Sequence, residues 1–213
     1  MDLTVRLAPH GLWPLGGFYP EADDAVPRRT QTLVLIAPRD ADFWPVFSAS
    51  DEYADGAPHP LDRWSRRVIG RIACDLRAKA LFPFTGPPWH PFLRWARQTG
   101  SVHASPVGML VDASMGLFVS IRGAIALKRR IALPAPVPAP CATCADRPCL
   151  TACPVGALGA DGYQVDTCRA FIGSDPHATC LDTGCAVRRA CPVSADWGRS
   201  PAQSAFHMRA FQG

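Results

Sequence analysis

Apolar positions between residues 61 and 81 recur in three- and four-residue steps: Leu61, Trp64, Val68, Ile72, Leu76 and Ala80. Arg63, Arg66, Arg67 and Arg77 take the opposite face, so the pattern predicts an amphipathic helix over 61–81. Residues 32–37 (TLVLIA) are a β-branched run closed by Pro38, which predicts a buried strand, with a helix over 40–48 after it. Residues 80–84 read as a further strand, and 91–98 as a helix started by Pro91. Two apolar runs, 107–112 and 117–127, flank Ala113-Ser114-Met115-Gly116 and predict a hairpin. Ser200 as N-cap and Pro201 at the first position open a helix over 201–211. Gly11, Gly16 and Gly17 in GLWPLGGFYP predict a loop.

Pro134, Pro136, Pro138 and Pro140 alternate with small residues, a pattern that favours a stiff, extended connector. It divides the chain into an α+β part over 1–133, a linker over 134–140 and a second part over 141–213. Residues 141–191 are too rich in Cys, Gly, Pro and Asp for long regular elements, and their order must come from bound ligands.

Composition narrows the class. Hydrophobic residues make up 48% and charged residues 19% of 213, enough for a real core and too apolar for disorder. The longest uninterrupted apolar stretch, 33–37, cannot cross a bilayer. Asp2 stands where a signal peptide needs bases, and no apolar run follows it. These features predict a cytoplasmic protein with no membrane partner. A net charge of +4 is too mild to predict nucleic-acid binding.

The nine cysteines change the problem. Eight lie within residues 141–191: Cys141, Cys144, Cys149, Cys153, Cys168, Cys180, Cys185 and Cys191. In a reducing compartment such a set predicts metal binding rather than disulfides. Soft thiolates suit iron–sulfur clusters or zinc. Two features favour iron–sulfur. Eight thiolates satisfy two tetrathiolate clusters, and Cys149-x3-Cys153-Pro154 has the ferredoxin C-x3-C-P form. Zinc ribbons generally pair two short C-x2-4-C knuckles, and only Cys141-x2-Cys144 is of the C-x2-C kind.

This segment resembles a two-[4Fe–4S] ferredoxin domain, in particular the C-terminal domain of epoxyqueuosine reductases and reductive dehalogenases. The resemblance implies that Cys141, Cys144, Cys149 and Cys191 hold one cluster, and Cys153, Cys168, Cys180 and Cys185 the other. Both Cys-Pro cysteines would then serve the cluster distant in sequence. The chain departs from the pattern by x4 after Cys144 and Cys180 and x5 after Cys185.

A second resemblance covers residues 107–127 (VGMLVDASMGLFVSIRGAIAL) and residues 32–47. Both are similar to segments of CblC-type vitamin B12-processing proteins. It implies a nitroreductase-like α+β core that carries a cofactor, a corrinoid (cobalamin) first and a flavin (FMN) second. Arg122 is the residue to watch: its guanidinium suits a phosphate or carboxylate of a bound cofactor, or a local carboxylate. Trp44, Phe47, Phe82, Phe84, Trp89, Phe92 and Trp95 could line a pocket for a flat ring, but at these spacings most read as core. His177 reads as solvated, Gly156, Gly159 and Gly162 as turns, and Cys74 as a bystander thiol. No G-x-G-x-x-G, P-loop or G-x-S-x-G occurs. The expected function is electron transfer to a cofactor or substrate held by residues 1–133. The alternatives are a carrier docking to a separate redox partner protein and a zinc-stabilised interaction module.

Overall fold

The computed structural model describes residues 2–174 and 179–213. In chain order its elements begin with α1 (Leu3–Leu7), β1 (Leu12–Phe18), β2 (Thr32–Pro38), α2 (Asp40–Ser48), α3 (Asp51–Ala54), α4 (Pro60–Asp75) and β3 (Lys79–Leu81). α5 (Phe92–Gln98), β4 (Val102–Ala104), β5 (Leu110–Asp112) and β6 (Gly123–Leu127) follow. The last are β7 (Leu158–Gly159), β8 (Gly162–Tyr163), α6 (Val165–Ser174), α7 (Thr179–Thr183), α8 (Ala186–Ala190), α9 (Pro192–Ala195) and α10 (Pro201–Gln212). The protein is a mixed α+β fold.

The chain forms two compact units. Unit 1 is Met1–Ser101 with Ser120–Val137; unit 2 is Val102–Val119 with Pro138–Gly213. Residues 102–119, expected within the first part, therefore group with the cysteine-rich segment. The division near the linker falls between Val137 and Pro138.

Unit 1 is built on an antiparallel sheet of order β1-β2-β6-β3. Every residue of β2 and β6 is buried, which explains why both read as unbroken apolar runs rather than alternating ones. α4 packs on β3 and β6, and α5 on β1. Leu61, Trp64, Val68 and Ile72 of α4 are buried as its periodicity predicts. The helix ends at Asp75, however, short of the expected 81. Arg77 takes a left-handed conformation (φ 52°), Ala78 N donates to Ala73 O (2.8 Å), and Lys79 opens β3. That is the Schellman stop, made by an arginine in place of the usual glycine.

Two further expectations are corrected. The expected loop at residues 11–20 is largely strand β1, with a bulge between Pro14 and Gly16. Gly17 is required there because a Cβ would sit 2.7 Å from Leu33 O across the ladder. The expected hairpin of 107–112 with 117–127 also does not form. β5 pairs with β4, and β6 lies between β2 and β3. The reversal at residues 113–116 is real, since Asp112 and Gly116 form a bridge and Asp112 Oδ1 accepts from Ser114 N and Met115 N (2.8 and 2.9 Å). Its arms take other partners. Among the described residues no helix is long and apolar enough to cross a membrane.

Candidate metal centre

Unit 2 has its own apolar core of Val107, Val111, Leu117, Leu158 and Val187, and Cys149 and Cys191 are buried members of it. Cys141, Cys153 and Cys185 pack against its edge. All nine cysteines are free thiols.

The first group forms around a tight chain path. Arg147 is left-handed (φ 41°) and Pro148 starts a single 3-10 turn over Pro148–Leu150, which turns Cys149 into the core. Cys191 has extended backbone between α8 and α9, and Pro192 starts α9 directly after it. Proline at that first helical position needs no hydrogen-bond partner for its missing N–H, which is the physical sense of the Cys-Pro pair. The result is a cavity of about 510 Å³ with Cys141, Cys144, Cys149 and Cys191 on its wall. Burial pushes the Cys141 and Cys149 thiols up, and the neighbouring thiols of the same set push further the same way.

Gly116 makes this packing possible. It is left-handed (φ 58°), and a Cβ there would lie 2.5 Å from Ser194 Oγ and 3.0 Å from Cys191 Sγ. Leu117 N donates to Ser194 Oγ at 2.9 Å, tying the chain after the reversal to α9.

The second group is Cys168 on α6, Cys180 on α7 and Cys185 as N-cap of α8. Burial raises the Cys180 thiol, and Cys185 and Cys168 add to the effect. Burial is the first cause that pushes the hydroxyl of Tyr163, at the end of β8, up, with Cys168 the next; its ring stacks on Phe211 of α10 at 6.0 Å. Cys153 is half-buried beside the same core as Cys185. Among the described residues no group of three or more His, Cys, Asp or Glu is arranged to hold a metal ion. His177 lies outside the described residues.

Unit 1 treats its candidates differently. Arg122 donates Nη2 to Asp62 and Nε to Ser65 Oγ (3.1 Å), with its guanidinium 5.5 Å from the Phe84 ring. A local carboxylate is its partner. Phe47, Phe82, Phe92 and Trp95 are buried in the core, Trp44 and Phe84 are partly buried, and Trp89 is 64% exposed. Arg63 and Arg67 on α4 are paired with Asp55 and Glu52, and the Arg66 guanidinium lies 5.7 Å from the Phe84 ring. Cys74 is exposed on α4. Sequence reasoning missed Arg188, whose Nη1 donates to Leu117 O inside unit 2 (2.5 Å). Nothing in its local pattern separates it from Arg189. No protein-family model matches the chain, and no curated protein is significantly similar to it.

Proposed function

We propose that unit 2 holds two [4Fe–4S] clusters and that the protein passes single electrons from a low-potential donor to an acceptor. One observation carries this reading: Cys191 shares a cavity with Cys141, Cys144 and Cys149, far earlier in the chain. The donor chemistry fits, since the thiols are the soft groups on that wall. Cys153, Cys168, Cys180 and Cys185 would hold the second cluster, in a small ferredoxin-like unit. Such clusters supply one-electron transfer at potentials set by charge, hydrogen bonding and exposure.

The acceptor in this proposal is a corrinoid, with a flavin as second choice, held by a nitroreductase-like unit 1. Its support is the resemblance of residues 32–47 and of 107–127, of which last only 120–127 belong to unit 1, and a cavity of about 450 Å³ whose wall includes Pro14, Val34, Leu127, Arg129 and Leu133. That size is within the range of small-molecule sites. The second reading is a carrier that docks to a separate redox enzyme, and the commitment of Arg122 to Asp62 favours it.

Metal and sulfide analysis of anaerobic protein tests the proposal. About eight iron and eight acid-labile sulfide per chain are expected. Zinc alone, or at most four iron after full reconstitution, overturns it. Cys191→Ala should remove the iron held with Cys141, Cys144 and Cys149 and leave the other four. Hydroxocobalamin or FMN that shifts the visible spectrum on addition favours the bound acceptor; an unchanged spectrum favours the carrier.

A further inference from the structure

A second cavity of unit 1, of about 640 Å³, lies between α1 and α4. Its wall carries Arg6, His10, Arg67 and Arg71, with Asp75 as the one acid. Arg67, Arg71 and Asp75 follow at four-residue steps and so stand on one face of α4, while Arg6 comes from α1 and His10 from the turn after it. Val68 and Ile72, both buried, make the apolar part of the wall. Three guanidiniums and an imidazole thus meet around an apolar floor with a single carboxylate among them.

The neighbouring acids do not use up this charge. Glu52, which is not on the wall, takes Nε and Nη2 of Arg67 at 2.5 and 2.8 Å and leaves Nη1 outside the pair. Asp75 is shared: Oδ1 faces Arg71 Nε at 3.4 Å and Oδ2 faces Arg6 Nη1 at 3.6 Å. Charge-assisted hydrogen bonds close to about 2.7–2.9 Å, so neither contact is a tight one. One carboxylate spread between two guanidiniums leaves a positive surplus facing the cavity. Burial, and after it Arg67, lowers the pKa of His10, which therefore stands in the wall as a neutral imidazole at pH 7.

We propose that this cavity is a binding site for a phosphoryl group carried on a small molecule. A carboxylate offers two oxygens in one plane. A phosphate monoester offers three, in directions that suit guanidiniums arriving from α1 and from successive turns of α4. The volume is that of small-molecule sites and leaves room beyond the phosphate, where Val68 and Ile72 present an apolar surface. No cysteine takes part, so the site stands or falls independently of the clusters proposed for unit 2.

The test is calorimetric titration of the full chain at fixed ionic strength with phenyl phosphate, inorganic phosphate and benzoate. Phenyl phosphate should bind saturably at one site per chain, more tightly than inorganic phosphate and at least about tenfold more tightly than benzoate. Arg71→Gln removes a side chain that is 81% exposed and so spares the fold, which circular dichroism checks; it should weaken phenyl phosphate at least about tenfold. Arg97→Gln, at an exposed position of α5 away from this wall, should leave the affinity unchanged. Absence of saturable binding, benzoate or inorganic phosphate bound as tightly as phenyl phosphate, or equal losses in Arg71→Gln and Arg97→Gln overturns the proposal.

Discussion

Gly108 and Gly116 offer a matched pair for testing how closely the chain reversal is built against the first thiol group. Both are left-handed, with φ of 74° and 58°, so alanine strains the backbone at either by about 1–2 kcal/mol. Their surroundings differ. A Cβ on Gly108 meets nothing within 4 Å, while one on Gly116 lies 2.5 Å from Ser194 Oγ and 2.6 Å from Ser194 N. The hydroxyl can rotate away, but the backbone nitrogen moves only if α9 moves, and Cys191 is the N-cap of α9. Overpacking adds about 1–3 kcal/mol, so Gly116→Ala should cost about 2–5 kcal/mol against about 1–2 for Gly108→Ala. Urea titration of anaerobic protein followed by circular dichroism reads the difference. Under the cluster proposal Gly116→Ala also loses iron, because Cys191 is displaced, and Gly108→Ala does not. Equal destabilisation by the two alanines would refute the packing argument.

Three other outcomes follow from unit 1. Glu52 accepts from Arg67 at 2.5 and 2.8 Å, and this hydrogen bonding holds its carboxyl below the ordinary 4.5. Its contribution is therefore complete above about pH 4.5 and is lost as pH falls through the lower folded value. Arg67 is 58% exposed, so Glu52→Gln should cost only about 1 kcal/mol at pH 7, and the gap should close on acidification. A gap independent of pH refutes the pairing. Asp62→Ala leaves the Arg122 guanidinium with Ser65 and the Phe84 face, at an expected cost of about 2–4 kcal/mol, and adding Arg122→Met should recover part of it. Strict additivity of the two changes in urea midpoints would mean the ion pair contributes nothing. Under the cluster proposal Cys74→Ser, at an exposed position of α4, should leave iron content and visible spectrum unchanged; loss of iron would show that the ligand set contains a wrong member.

The features legible in the sequence are those specified by neighbouring residues. Thr32–Pro38 is a strand because its own residues are β-formers with a proline stop, and Pro201–Gln212 is a helix because Ser200 accepts from Gln203 N (3.1 Å). The errors arose where distant partners decide. Pro14, Gly16 and Gly17 argue for a loop until β2 supplies a ladder and Leu33 O excludes a side chain at Gly17. Residues 107–127 look like one hairpin because the reversal is local, but the choice between β4 and β2 as a partner is not. Arg77 ends α4 without the glycine that would have announced the stop. At the site, the grouping of Cys191 with Cys141, Cys144 and Cys149, which share a cavity, came from the resemblance to two-cluster ferredoxin domains and not from the neighbours of Cys191 along the chain. The burial of Arg188 was invisible, since nothing in an arginine's neighbours along the chain tells which way it points.

The interleaved make-up of the two units bears on biosynthesis. Residues 102–119 leave the ribosome well before Cys191, which they need as a packing partner, and at about 5–20 residues per second the interval is several seconds. During that time Val107, Val111 and Leu117 have no core to join, while the emergence of β6 lets the unit 1 sheet close around them in sequence. A stop or cut in the proline-rich stretch would leave an orphaned apolar arm on one fragment and a coreless cysteine segment on the other. Neither half should therefore be obtainable as a well-behaved product by itself, and under the cluster proposal supply of iron during synthesis would have to match the arrival of the last cysteine rather than the first.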